Sequence, residues 1–212
     1  MAEKKYGRAA LILSLLLVTS CERSGSSLEF AALPSSDVPA RIATAPLGFE
    51  CPSPHTVRVV GRERRVYQGA DERDPFVCLV RLGRNDIRVL GNFWRLPTPD
   101  DAAIRRGLAE LWPLTPGKNV SYTFRDHQAG EVTQVRHTWR IIGEQQAHIA
   151  GVERRVFALE QDVEFVFSNE LLQRCKSLYD MASRLFILRE CRVVRGQLRG
   201  EIDWIASQIS MP

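Results

Sequence analysis

The 212-residue chain has no stretch of about 20 consecutive apolar residues, so none of it reads as a helix that crosses a bilayer. A CxxC pair is missing, which removes the usual basis for thioredoxin-like redox chemistry or a zinc ribbon. GxSxG, HExxH, Walker A and GxGxxG patterns are missing too, so no nucleophile elbow, zinc-protease helix or nucleotide cradle is announced. No long period marks a repeat architecture. Lysine is scarce: beyond residue 21 only Lys118 and Lys176 remain, and the other cations are Arg. Such a bias reflects the codons of a GC-rich genome rather than a chemistry.

What the chain does contain fits one ordinary globular domain plus a tether. Apolar residues make up 44% and charged residues 25% of it, and the formal net charge is +4. The first 20 residues hold Lys4, Lys5 and Arg8 against Glu3, so the remainder is nearly neutral. A near-neutral domain argues against a dedicated nucleic-acid binder, and no nucleic-acid partner is expected.

Lys4, Lys5 and Arg8 form a short positive region, followed by the apolar run Ala9 to Val18 and then Thr19, Ser20 and Cys21. That is the three-part layout of a secretory signal peptide. The ending Val18-Thr19-Ser20-Cys21 resembles the lipobox of bacterial lipoproteins. Small residues let the extended chain enter a protease, and a thiol must follow because the diacylglycerol is carried on sulfur. The resemblance implies removal of residues 1–20 and lipidation of Cys21. It also implies a further acyl chain, such as palmitate, on the new amino terminus. Several chains anchor stably where one binds only reversibly. Glu22 after the Cys, rather than Asp, favours the outer membrane over the inner by the enteric sorting rule. Residues 22–41, rich in Ser and Pro, read as a flexible tether. Leu28, Phe30 and Leu33 offer an alternative in which it docks on the domain, which is expected to span 42–212.

With Cys21 acylated, four cysteines remain: Cys51, Cys78, Cys175 and Cys191. An even number in an exported chain suggests disulfides, because the periplasm is oxidising. Three pairings are open. Short separation favours Cys51–Cys78 and Cys175–Cys191, the second flanking a hairpin that turns at Asp180 to Ser183. Buried free thiols are the alternative.

One helix is signalled by Thr98-Pro99-Asp100-Asp101, which supplies a cap, a Pro at the first helical position and acids in the first turn. Ile104, Leu108, Leu111 and Trp112 then form an amphipathic stripe that Pro113 ends, so the helix is expected at about 98–112. Most of the rest alternates as strands do: Val120, Tyr122 and Phe124; Val135, His137, Trp139 and Ile141; Val163, Phe165 and Phe167. Phe76 to Leu82 and Ile87 to Trp94 read as a hairpin around Gly83-Arg84-Asn85-Asp86. Leu185 to Val194 and Leu198 to Trp204 read as strands split by Arg195-Gly196-Gln197. The expected fold is mainly β (α+β), a curved antiparallel sheet or half-barrel with one covering helix.

Several stretches carry a second resemblance: Leu111-Trp112-Pro113-Leu114 with Gly117-Lys118; Ile141-Ile142-Gly143-Glu144 as a turn; Ala150-Gly151 to Phe157; and Leu178-Tyr179 ahead of Leu185 to Arg189. Their layout, over about residues 111–204, is similar to exported bacterial β domains of the half-barrel lipoprotein carrier and acceptor type. Leu178 stands where Trp is commoner, and the Cys175/Cys191 pair is not part of that pattern. The resemblance implies a non-enzymatic envelope lipoprotein that binds an apolar ligand, a lipid or a partner protein, with no cofactor. The competing reading is a periplasmic hydrolase. Its candidate residues would be His137, His127, Glu131 and Asp126, and it requires at least two of them in one pocket. Without that convergence, His137 reads as a core histidine hydrogen-bonded to a neighbour. Asp126 and His127 would then be solvated at a strand end, and the mixed-sign run Arg62-Glu63-Arg64-Arg65 would be a solvated strand or turn.

Overall fold

The computed structural model describes residues 44–97, 100–128, 131–194 and 203–212. All lie in one compact unit, Ala40–Pro212. The expected leader, Cys21, the expected tether and Arg195-Gly196-Gln197 lie outside the described residues.

The fold is mainly β with one helix among the described residues. Two six-stranded antiparallel sheets share the work, and neither closes into a barrel. The first contains β1 (Val57–Val60), β2 (Glu63–Asp71), β3 (Asp74–Leu82), β4 (Asn85–Leu90), β5 (Trp94–Arg95) and β12 (Gln208–Ser210). Its order is β12-β1-β2-β3-β4-β5. The second contains β6 (Asn119–Gln128), β7 (Glu131–Ile149), β8 (Val152–Phe165), β9 (Leu171–Asp180), β10 (Leu185–Val193) and β11 (Trp204–Ile205). Its order, β11-β10-β9-β8-β7-β6, is a plain meander. Helix α1 (Asp101–Leu111) joins the sheets and packs on β6.

The helix forms where its apolar stripe lies: Ile104, Leu108 and Leu111 are at most 2% exposed. It is shorter than its sequence signals. Asp100 occupies the N-cap without a side-chain cap hydrogen bond, and Thr98 and Pro99 fall outside the described residues. Trp112, the residue before Pro113, is already extended at φ −93° and ψ 148°, because a following proline crowds the helical conformation. Gly107 faces the sheet. A Cβ there would lie 2.1 Å from the Tyr122 ring, so the glycine is what lets the helix approach β6.

Some expectations need correction. Ile87 to Trp94 is not one strand: β4 ends at Leu90, Gly91 and Asn92 take positive φ, and the chain re-enters the sheet as β5. Ile141 to Glu144 is not a turn. Gly143, at φ 149°, sits at a register shift within the 19-residue β7, so it accommodates a bulge. The reversal comes at Ala150-Gly151, both with positive φ. Phe167 does not continue the strand alternation; it lies past the end of β8 and is 86% exposed. Of the strand expected from Leu198 to Trp204, the described part is β11, and 198–202 lie outside the described residues.

The final residues link the two sheets. β11 pairs with β10, Ala206 N donates to Ile187 O, Ser207 N donates to Val59 O, and β12 pairs with β1. Side chains add to the join: Arg58 donates to Phe186 O at 2.8 Å and Asn92 to Arg184 O at 2.6 Å. Two apolar clusters fill the interior. One gathers Phe49, Phe76, Leu90 and the helix stripe against Trp139, Ile141, Leu159 and Tyr179. The other sets Tyr67, Val80 and Ile87 against Ile149, Val156 and Ile187.

Candidate functional site

The meander registers its strands so that one face carries a graded mixture of apolar and polar side chains. Tyr122 stands opposite His137, and His137 opposite Val163. Trp139 stands opposite Gln161, Gln161 opposite Cys175, and Cys175 opposite Cys191. One row further, Leu159 faces Ser177 and Ser177 faces Arg189. A polar tract therefore runs diagonally across the interior face, from β6 to β10. Arg189 Nη2 donates to Gln161 Oε1 at 2.8 Å, and Gln161 Nε2 reaches His137 Nδ1 at 2.9 Å. Tyr122 Oη lies 3.5 Å from the same nitrogen. With Gln161 donating, His137 Nδ1 accepts and its proton sits on Nε2.

Aromatic rings wall this tract in. Trp94 stacks on His137 with centroids 5.7 Å apart, and Phe124 meets it edge-on at 4.9 Å. Phe93 lies 5.0 Å beneath the Arg189 guanidinium and packs edge-on against Trp139. His137 is 6% exposed and Gln161 fully buried. Burial first, and the positive charge of Arg189 second, push the His137 pKa down to about 3. Burial raises the Tyr122 hydroxyl and brings Arg189 down to about 10. His137 is therefore a neutral acceptor at any ordinary pH and has no proton to deliver near neutrality.

Arg189 is unusual. Its Nη1 is sealed from solvent and has no hydrogen-bond partner, and no carboxylate among the described residues pairs with it. Its other contact is from Nη2 to Cys175 Sγ at 3.3 Å. A half-buried cation without a carboxylate partner among the described residues is unusual enough to make its surroundings the place to look for function.

Those surroundings include a pocket of about 760 Å³ at the β9–β10–β11 end of the sheet. On the face opposite the tract, Lys176 stands across from Glu190 and Arg174 across from Arg192. These four side chains line the pocket with Arg189, and Asp203, Trp204 and Ile205 complete its rim. Arg174 is spoken for: its Nε lies 2.7 Å from Asp162 Oδ1, and Arg140 holds the other carboxylate oxygen at 2.9 Å. Burial would raise that carboxyl, but Arg174 and Arg140 outweigh it and keep the Asp162 pKa low. Asp203 accepts from the Cys191 amide and closes the edge of β10 there.

The four paired cysteines form two disulfides, Cys51–Cys78 and Cys175–Cys191. The first ties the segment before β1 to β3, and the second staples β9 to β10 behind the pocket. Cys21 lies outside the described residues. Of the hydrolase candidates, Asp126 and His137 are not brought together. Asp126 stands opposite Thr133, four residues along β7 from His137, which is about 13 Å of strand. The side chains of His127 and Glu131 lie outside the described residues. Among the described residues no group of three or more His, Cys, Asp or Glu is placed to hold a metal ion.

No family model matches the chain, and no curated protein matches it. Among solved structures it is similar to the hypothetical lipoprotein YmcC from Escherichia coli (K12), with a TM-score of 0.43 and 9% identity. The match covers 66% of this chain and 79% of that one. A likeness of that size assigns neither a family nor a function.

Sequence reading missed Gln161, Arg189 and the pocket cations. A faint signal existed for two of them: Arg189 ends the apolar run Leu185 to Leu188, and Lys176 is one of only two lysines beyond residue 21.

Proposed function

We propose that this chain is a non-enzymatic lipoprotein of the bacterial cell envelope. It is anchored by acylated Cys21, faces the periplasm, and acts by binding a ligand or partner through its β domain. The observation that carries the reading is the pair of disulfides, both within the domain. Such bridges persist in an oxidising compartment, the one the N-terminal leader addresses. The dispersal of Asp126 and His137, and a His137 buried as a neutral acceptor, favour binding over hydrolysis. The expected apolar ligand has less in its favour, because the space between the sheets is filled by Phe93, Trp139, Tyr179 and Phe186, while the open pocket is cationic.

Mass spectrometry of the protein from bacterial membranes tests the anchor. A chain beginning at diacylated or triacylated Cys21 is expected, and Cys21→Ala should release the protein or leave it unprocessed. An unmodified Met1 on the mature protein would end the reading.

A further inference from the structure

We infer that the Cys175–Cys191 bridge is a thiol–disulfide exchange site, opened by a dithiol that attacks Cys191 from the β9–β10–β11 pocket. The inference goes beyond the binding role proposed above and is independent of the anchor. It starts from a difference between the two bridges. Cys51 and Cys78 are 8% and 0% exposed, and neither lines the pocket. Cys175 is just as buried, but Cys191 is half-buried and lines the open concavity of about 760 Å³. A reductant therefore has an approach to one end of one bridge.

The neighbours make the two ends of that bridge unequal. Cys175 stands across from Cys191, and Arg189, two residues back along β10 on the same face, stands across from Ser177. Arg189 Nη2 lies 3.3 Å from Cys175 Sγ, and the Nη1 of the same guanidinium is sealed from solvent with no hydrogen-bond partner. A cation beside a cysteine stabilises its thiolate, and the thiol of lower pKa is the better leaving group. The Asp203 carboxylate, which accepts from the Cys191 amide, disfavours a thiolate at the other end. Attack at Cys191 with departure of Cys175 is thus favoured by access and by charge together. A thiolate of the dithiol bonds to Cys191 Sγ, the S–S bond breaks, and its electron pair leaves on Cys175 Sγ as a thiolate beside Arg189. The second thiol of the dithiol loses its proton and attacks the dithiol's own sulfur in the mixed disulfide. Cys191 then leaves with that electron pair. The dithiol ends as a disulfide, its two electrons lie on the cysteines, and its two protons pass to the released thiolates or to water. The staple between β9 and β10 is undone, while Cys51–Cys78 still ties the segment before β1 to β3.

Timed reduction of the full lipidated chain in a non-ionic detergent tests this, with dithiothreitol as the dithiol. Samples are quenched with N-ethylmaleimide and the cysteines are mapped by peptide mass spectrometry. Cys175–Cys191 should open about tenfold or more faster than Cys51–Cys78. With reduced glutathione in place of dithiothreitol, the glutathione should sit on Cys191 and the maleimide label on Cys175. Arg189→Met should slow the opening several-fold, whereas a substitution that merely loosened the fold would speed it. If the Arg189→Met protein does not fold, the position of glutathione in the unsubstituted chain decides. A Cys175–Cys191 bridge that opens no faster than Cys51–Cys78, glutathione on Cys175, or undiminished opening in folded Arg189→Met overturns the inference. None of these results moves the Cys21 mass measurement, so the anchor and the exchange site stand or fall separately.

Discussion

His137 shows how much a single residue's role depends on its neighbours. Its ring is a neutral acceptor because Trp94, Phe124 and Tyr122 exclude water from it and Arg189 opposes a second positive charge. Its pKa falls from 6.5 to about 3 on folding. Above pH 6.5 both folded and unfolded chains hold a neutral ring, and the stabilisation is fully present. Between 6.5 and 3 the unfolded chain binds a proton that the folded chain refuses, so stability falls with pH. The loss should reach about 2 kcal/mol by pH 5. Urea unfolding at pH 7.5, 6 and 5 should show it, and His137→Gln should flatten that part of the profile. An unchanged slope in the variant would mean the imidazole is not held as described. A buried ion pair behaves differently. Arg154 and Asp180, 3.0 Å apart and 8% and 1% exposed, compensate each other, and Asp180 also accepts from Ser183 in the β9–β10 turn. Arg189 has no such counter-charge among the described residues, and the contrast singles it out.

At the scale of elements, the contact of α1 with β6 turns on Gly107. In an exposed helix, Gly→Ala usually stabilises by up to about 1 kcal/mol. Here the added methyl would fall 2.1 to 2.5 Å from Tyr122 ring and Cβ atoms, and the sign reverses. Gly107→Ala should destabilise by roughly 2–3 kcal/mol, as overpacking does. Chemical denaturation measures the cost, and a stabilised variant would refute the close approach. The same substitution should disturb the Tyr122–His137 contact, so its effect reaches the polar tract. The helix was legible in the sequence because its periodicity is local and the stripe buries as a unit. Its exact start was not, because the Thr98-Pro99-Asp100-Asp101 signal allows several caps and Asp100 takes the N-cap. Strands β6 to β8 were legible for the same reason, their alternation being a local property. β1 and β2 were not: Arg62 to Arg65 put charge on both faces, and Arg58, 5% exposed, is buried only by its place against Phe186 and Trp204.

The whole molecule is tied by two kinds of link, the disulfides and the C-terminal segment that crosses between sheets. Cys51–Cys78 and Cys175–Cys191 close sequence separations of 27 and 16 residues. Each should contribute roughly 3 kcal/mol, mainly by restricting the unfolded chain. Replacing either pair by Ala should lower the midpoint of thermal unfolding by roughly 6–12 °C for a domain of this size. Calorimetry of the two double variants checks this, and a shift under about 2 °C for both would show that the bridges are not structural.

What the sequence determined by itself was the helix stripe, the β character and the local cysteine pairs. Each rests on a pattern within a few turns or strands of chain. Tertiary structure alone decided that the strands divide into two sheets and that residues 204–210 bridge them. It also decided that His137, Gln161 and Arg189 share one face and that Lys176 and Arg192 open on one pocket. Those outcomes depend on strand partners and register, and periodicity is blind to them. An alternating pattern tells a strand which face to bury, but only the neighbouring strand tells a side chain what it will meet.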